Sequence, residues 1–202
     1  NEWKKYLTTK MVLTPHPGEL AELCGLSVEE IQKNRLETAR RLALEWGVVL
    51  VLKGALTIIA SPSGELRVVP VATTALSHGG TGDVLAGLIA GLLGQGMPPM
   101  EAAGLGCYLH AQAGLVAEEW TGYAGVVTAG DVVDAIGEAF QHVAASKNEG
   151  EDKQKNRREK SNYSGGFFIT KDLSGSRGLA RGGGLTFFER GNSCTDTGFA
   201  FF

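Results

Sequence analysis

Cysteine is scarce in this chain of 202 residues, which contains three: Cys24, Cys107 and Cys194. They are widely spaced, odd in number and form no CxxC pair. This pattern argues against a disulfide framework and against a cysteine-based zinc site, and it is typical of a reducing compartment.

The chain also lacks a long apolar run, a signal-peptide pattern and a strong net charge. Its longest apolar run, residues 84–93, is about half of the ~20 residues that a membrane helix needs. The N-terminus shows no apolar core followed by a small-residue cleavage site. A net charge of −3 gives the whole chain no strong attraction to nucleic acid or acidic lipid. These absences predict a soluble, cytoplasmic protein.

Phenylalanine is missing from most of the chain: none precedes Phe140, and seven of the eight follow residue 166. The change coincides with a mixed-charge run over residues 146–160 that has no apolar face. We therefore predict a folded domain over residues 1–145 and a low-complexity, disordered tail over residues 146–202. Arg-Gly pairs near Phe in this tail leave RNA binding open as a non-enzymatic alternative.

Strand-like and helix-like segments alternate within residues 1–145. Residues 48–53 form a continuous β-branched run typical of a buried parallel strand, and Ser61–Gly64 is a hairpin turn between two short strands. Helices are predicted over residues 28–46, 83–95, 98–120 and 128–140, with the late, glycine-rich ones packed closely against their neighbours. The alternation predicts an α/β fold with a largely parallel sheet.

A glycine-rich segment, Gly79-Gly80-Thr81-Gly82-Asp83, stands directly before one of these helices. Glycines let the backbone approach a ligand, and free N–H groups at a helix N-terminus favour anions. The segment is neither a Walker A loop nor a GxGxxG fingerprint. The alternative interpretation is a turn in which Asp83 serves as the helix N-cap.

Two further segments carry chemistry-bearing side chains. Lys53 follows the apolar strand, at the carboxyl end where ligands bind in open α/β sheets, and its ammonium would suit a phosphate. His16 lies between two prolines that stiffen the backbone before a helix, which suits a ligand-orienting group. Each has a structural alternative: a surface lysine in a turn, and an exposed histidine in a rigid connector. His110 fits a satisfied core histidine, whereas His78 adjoins the glycine segment.

The segments TPHPGE, KGALT and GGTGDVLAG, in this order, resemble those of the ADP-dependent NAD(P)H-hydrate dehydratases. These enzymes form the carbohydrate-kinase-like family of the ribokinase-like superfamily, and the resemblance covers roughly residues 12–140. It implies a three-layer α/β/α fold. Because family members carry well over a hundred residues before TPHPGE, it also implies that this chain is the C-terminal half of the domain, N-terminally truncated.

The resemblance implies an activity: dehydration of hydrated NADH or NADPH, by phosphoryl transfer from ADP (or ATP) to the hydroxyl followed by elimination. By this likeness Asp83 is the catalytic base and contacts the hydrated nicotinamide, and His16 contacts the hydrated dinucleotide. The implied nucleotide-binding residues are Lys53, Gly54, Ala55, Leu56, Thr57, Gly79, Gly80, Thr81 and Gly82. Mg²⁺ is expected with the nucleotide, without a dedicated set of protein ligands, and a homo-oligomer is expected of the full-length protein.

A ribokinase-like kinase of vitamin precursors is the alternative enzyme. Such kinases share the glycine segment and its aspartate, so that segment alone does not separate the two activities. The TPHPGE and KGALT segments favour the dehydratase.

Overall fold

A computed structural model describes the backbone of residues 2–157 and the side chains through residue 145. The strands are β1 (Val12–Leu13), β2 (Val49–Leu52), β3 (Ile58–Ala60) and β4 (Leu66–Val68). The α-helices are α1 (Pro17–Cys24), α2 (Val28–Lys33), α3 (Arg35–Trp46), α4 (Thr81–Gly94), α5 (Pro99–Thr121) and α6 (Ala129–Arg157). Short 3₁₀ helices cover Glu2–Tyr6, Thr74–Ser77 and Ala124–Val126.

The four strands form one sheet in the order β1-β2-β3-β4. β1 and β2 are parallel, whereas β2 with β3 and β3 with β4 are antiparallel. The prediction of a largely parallel sheet is therefore corrected for the described residues: their sheet is mixed. The reason is connection length, since only β1 and β2 are joined by helices long enough for a parallel crossover. The turn at Ser61–Gly64, where Gly64 has φ +90°, returns the chain as the predicted hairpin.

Helices cover both faces of the sheet, which confirms the three-layer arrangement. Leu50 and Leu52 of β2 pack in one apolar cluster with α1, α2 and α3, while Val49 and Val51 pack in another with α4 and α5. All four side chains are at most 2% exposed. The continuous apolar run of β2 is thus explained by burial on two faces. α6 adds a third apolar cluster by packing on α5.

Local signals set most helix ends. Gly25 and Gly47 adopt left-handed conformations after α1 and α3, where glycine is favoured because it has no Cβ. Ser27 and Glu30 form the predicted capping box of α2. The helix predicted over residues 28–46 is divided at Asn34, which has non-helical backbone angles and separates α2 from α3.

The start of α6 and the region beyond it bear on the predicted tail. Thr128 caps α6 as predicted: its Oγ1 accepts the Asp131 N–H at 3.3 Å, and the Asp131 carboxylate accepts the Thr128 N–H at 2.8 Å. The boundary predicted at residue 145 lies within α6, and the tail residues after 157 lie outside the described part of the chain. No helix within the described residues is both long and apolar enough to cross a membrane.

Candidate functional site

The glycine segment forms the N-terminus of α4. Gly80 has φ +88° and is the N-cap, and its carbonyl accepts the N–H groups of Asp83 and Val84 at 3.0 and 3.2 Å. The interpretation of Asp83 as N-cap is therefore wrong: the helix begins at Thr81, because glycine alone adopts the left-handed N-cap conformation here without strain. The Thr81 hydroxyl is buried, 2.8 Å from the carbonyl oxygens of Leu76 and His78. The buried Thr81 hydroxyl therefore stabilises the loop by bonding to its backbone carbonyl groups.

Three amides of this loop are available to a ligand. Among the described residues, the N–H groups of Gly79, Gly80 and Gly82 donate to no protein acceptor. They lie at the positive end of a helix of 14 residues. Free amides and a helix N-terminus together favour an anion. The start of α6 closes on the same loop, since the Ala129 Cβ lies 3.1 Å from the position that a Cβ on Gly80 would take.

Lys53 reaches the loop from the end of β2. Its Nζ lies 3.1 Å from the Cβ position of Gly82 and 3.5 Å from Glu19 Oε2. Its backbone N–H donates to the Pro15 carbonyl at 3.0 Å, which continues the pairing of β1 with β2 into the TPHPGE segment. The three sequence segments are thus brought together around one ammonium group.

His16 and Glu19 cap α1 reciprocally. The Glu19 N–H donates to His16 Nδ1 at 3.1 Å, and the His16 N–H donates to Glu19 Oε2 at 2.7 Å. Burial raises the pKa of Glu19, but the hydrogen bond from the His16 backbone and the Lys53 charge outweigh it, so that this pKa is lowered. The His16 ring is 56% exposed. His16 is therefore oriented by its cap yet remains open to a ligand.

Asp83 and His78 lie at the two ends of the glycine segment, directly after and directly before it. Asp83 is exposed, and among the described residues its carboxylate accepts no hydrogen bond. It lies in the first turn of α4, directly after Gly82. His78 is half-buried, with Nδ1 3.2 Å from the Ala75 carbonyl oxygen. No group of three His, Cys, Asp or Glu side chains arranged for a metal ion is present within the described residues.

His110 of α5 adds a group that sequence reasoning placed in the core. It is 7% exposed, and its Nε2 is buried without a hydrogen-bond partner within the described residues. Burial lowers the pKa of His110 to about 4; the adjacent Thr81 backbone opposes this shift and the Lys53 charge adds to it. The predicted burial is confirmed. His110 is a neutral ring behind the glycine loop.

Arg35 was not singled out in the sequence. From the first turn of α3 its Nη2 donates to the carbonyl oxygens of Leu52, Lys53 and Leu56 at 3.3, 3.2 and 3.1 Å. No sequence signal marks it, because an arginine in the first turn of an amphipathic helix is ordinary. Among the predicted residues of this turn, Gly54, Ala55 and Leu56 are exposed, and the Thr57 hydroxyl donates to the Gly54 carbonyl at 3.3 Å.

The family model for NAD(P)H-hydrate dehydratase matches residues 1–138. The chain belongs to this family. Its membership agrees with the order of the three segments and with their meeting around Lys53.

Individual dehydratase relatives match the same region. The chain is 49% identical over 126 residues to a bifunctional NAD(P)H-hydrate repair enzyme of Moorella thermoacetica, covering 62% of this chain and 24% of that protein. It is 41% identical over 125 residues to an ADP-dependent (S)-NAD(P)H-hydrate dehydratase of Neisseria meningitidis serogroup B, covering 62% of this chain and 42% of that protein. The chain thus spans less than half of either relative.

Solved structures give the same fold. The ADP/ATP-dependent NAD(P)H-hydrate dehydratase of Bacillus subtilis, co-crystallized with ATP/Mg²⁺, is 38% identical with a TM-score of 0.60, covering 65% of this chain and 47% of that one. A ribokinase-like superfamily protein of Enterococcus faecalis is 31% identical with a TM-score of 0.55, covering 65% of this chain and 44% of that one. The ribokinase-like α/β fold expected for residues 12–140 is confirmed.

Proposed function

We propose that this chain carries the nucleotide-binding and catalytic half of an ADP-dependent dehydratase that restores NADH and NADPH from their hydrates. One observation carries the proposal: Lys53 of KGALT lies 3.5 Å from Glu19 of TPHPGE and 3.1 Å from the Cβ position of Gly82 in GGTGD. The relative of Neisseria meningitidis, an ADP-dependent (S)-NAD(P)H-hydrate dehydratase, supports the choice of substrates.

The phosphates of ADP, or of ATP, bind at the start of α4. The free amides of Gly79, Gly80 and Gly82 supply donors, and Lys53 supplies a mobile positive charge. Residues 53–57 form the adjoining wall of the nucleotide site. Because Thr81 is buried and bonded to the loop carbonyls, it shapes this site without offering its hydroxyl to the nucleotide.

Asp83 acts on the hydroxyl of the hydrated nicotinamide. A hydroxyl leaves poorly, so the carboxylate accepts the hydroxyl proton while the oxygen attacks the terminal phosphoryl group of ADP, releasing AMP. The carbon–oxygen bond then breaks with loss of a proton from the neighbouring carbon, and phosphate departs. The Asp83 carboxylate is exposed and accepts no hydrogen bond from the described residues, which suits this role. His16 orients the dinucleotide from the cap of α1.

Magnesium fits this site as a companion of the nucleotide. Mg²⁺ is commonly held by one or two carboxylates together with substrate phosphates and water. The described residues offer the Asp83 carboxylate at the loop and no cluster of three ligands. The phosphates would therefore supply most of its coordination, and the ion would reduce their negative charge during transfer.

The proposal extends to location and assembly. The three widely spaced cysteines suit a reducing, cytoplasmic setting. Exposed Trp120, Tyr123 and Val126 near the start of α6 are compatible with a homo-oligomer of the complete domain. Analytical ultracentrifugation measures that assembly directly.

The activity is tested by ADP-dependent recovery of NADH absorbance from the purified hydrate. The 202-residue chain is assayed alone and fused behind the N-terminal half of the Bacillus subtilis dehydratase domain. We expect Asp83→Asn in the active form to lower kcat by about 10²–10⁴-fold, because proton transfer contributes that much to such reactions. ADP affinity should change far less.

Asp134→Asn is the matched control, since Asp134 is an exposed aspartate on α6 outside the site. Full turnover in Asp83→Asn contradicts the assignment of the base. ATP-dependent phosphorylation of a hydroxymethylpyrimidine, without recovery of NADH, would instead favour the kinase alternative.

A further inference from the structure

We propose that Arg35 is the positioning residue of the turn at residues 53–57, which it holds in its nucleotide-binding shape before any nucleotide arrives. The inference rests on the proposed function for the role of the turn and adds a residue on a different element. Arg35 touches the turn from α3, on the side of the sheet opposite α4.

The contacts place the Arg35 guanidinium at the centre of the turn. Nη2 lies within 3.1–3.3 Å of the carbonyl oxygens of Leu52, Lys53 and Leu56. These carbonyls stand on both sides of the bend, so a single cationic group joins the end of β2 to the residues before β3. Hydrogen bonds from a charged donor are stronger than those between neutral groups.

Gly54 permits this approach. A Cβ on Gly54 would lie 2.5 Å from Nη2, 2.8 Å from Nη1 and 2.9 Å from Cζ of Arg35. A Cβ at residue 54 would therefore displace the guanidinium, and the φ of +159° at Gly54 is itself strained for any other residue. The glycine of KGALT is therefore explained by the guanidinium that packs against it.

Apart from Arg35, the middle of the turn has one side-chain hydrogen bond among the described residues, from the Thr57 hydroxyl to the Gly54 carbonyl. Its ends are held by the Lys53 N–H on the Pro15 carbonyl, by the Lys53–Glu19 ion pair and by the Val69 N–H on the Thr57 carbonyl. The N–H groups of Gly54, Ala55 and Leu56 donate to no acceptor among the described residues. Arg35 engages the carbonyls and leaves the amides free. A turn with free amides beside a lysine is suited to an anion.

The charge of Arg35 is maintained despite its surroundings. Burial lowers the pKa of its guanidinium, but arginine remains protonated in proteins. Its Nε is buried and has no acceptor within the described residues. The side chain is therefore held by its three bonds to carbonyl groups while one of its donors stays unpaired among those residues. That arrangement is expected of a group fixed for the geometry of the turn.

The test compares Arg35→Met with Arg41→Met in the full chain. Arg41 lies on the same helix, is half-exposed and pairs with Glu45, so it controls for loss of an arginine from α3. Backbone ¹⁵N order parameters of Gly54 and Ala55, measured without nucleotide, should fall from about 0.85 to below about 0.6 in Arg35→Met alone. The Kd for ADP, measured by calorimetry, should rise about tenfold because ordering of the turn then opposes binding.

Unchanged order parameters in Arg35→Met would overturn the inference. It would also be overturned if the turn became mobile in Arg35→Met while the Kd for ADP stayed the same. Absence of ADP binding by the unaltered chain contradicts the proposed function itself, a result distinct from a loss confined to Arg35→Met.

Gly54→Ala provides a second variant should Arg35→Met fail to fold. The added methyl must displace the guanidinium, so we expect the same mobility and a similar rise in Kd. The φ of +159° at Gly54 adds strain of its own, so the size of the loss in Gly54→Ala does not measure the contact alone. Unchanged mobility together with unchanged ADP affinity in Gly54→Ala would overturn the inference.

Discussion

The absence of a side chain at Gly82 leaves the space in which the Lys53 ammonium lies. The ammonium occupies the space beside Gly82, 3.1 Å from where a Cβ would stand. Gly82 lies within α4 with no positive φ, so alanine suits its backbone. Glycine at this residue therefore makes room for the Lys53 ammonium and is not required by the backbone conformation.

We expect Gly82→Ala to weaken ADP binding by about tenfold, since the ammonium must move by some tenths of an ångström and a charge-assisted bond of about 1.5–3 kcal/mol is impaired. Stability should not fall, because alanine is favoured over glycine in a helix. Calorimetry with ADP and urea unfolding check the two parts.

Gly87→Ala is the control, because the site of its Cβ is open and it lies on the same helix. It should gain about 0.5–1 kcal/mol of stability with unaltered ADP affinity. Equal ADP binding by Gly82→Ala and the unaltered chain would contradict the placement of phosphate beside Lys53.

Between elements, glycine sets how closely α5 approaches α4 and the 3₁₀ helix at Thr74–Ser77. A Cβ on Gly106 would lie 2.6 Å from Ile89 Cγ1, and one on Gly114 would lie 2.8 Å from the Leu76 side chain. By contrast, Gly87, Gly91 and Gly94 of α4 have nothing within 4 Å of their Cβ positions. The expected close packing of the glycine-rich helices is confirmed on α5 and is absent at these three α4 glycines among the described residues.

Gly106→Ala should therefore lower the free energy of unfolding by about 1–3 kcal/mol through overpacking. Gly91→Ala, at an open helical site, should raise it by about 0.5–1 kcal/mol. Urea unfolding measures both. Adding Ile89→Ala to Gly106→Ala should cost less than the sum of the single changes, and strict additivity would contradict the contact.

Sequence patterns predicted elements better than their mutual arrangement. The β2 run, the Ser61–Gly64 turn and the caps at Ser27 and Thr128 follow from neighbouring residues. The mixed sheet and the buried Gly106 depend on connection lengths and on how each helix is rotated against its neighbour. At the site, His16, Lys53 and Gly82 lie in recognisable segments, whereas Arg35 acts on carbonyl groups 17 to 21 residues away and carries no local signal.

For the molecule as a whole, one buried ring links stability to pH. The pKa of His110 is about 4 in the folded chain and about 6.5 in an unfolded one. Between these values the unfolded state binds more protons, so stability falls as pH decreases from about 6.5 to about 4. The loss at the acidic end reaches about 3 kcal/mol.

His110→Gln should flatten this part of the curve of unfolding free energy against pH. His142→Gln, at a half-exposed histidine on α6, should leave the slope in place. Urea titrations at several pH values provide the measurement. A slope that survives in His110→Gln would assign the acid sensitivity to other groups.

In the nucleotide-free protein the Glu19 carboxylate pairs with Lys53, the group that the proposed function assigns to phosphate, so Glu19 would compete with phosphate for Lys53. At 3.5 Å the carboxylate partly neutralises the ammonium, so an arriving phosphate must replace one anion with another instead of meeting a bare charge. In the proposed reaction the same carboxylate would reclaim Lys53 as AMP departs. Under the proposed function, the Glu19 charge would therefore limit how tightly the product is retained.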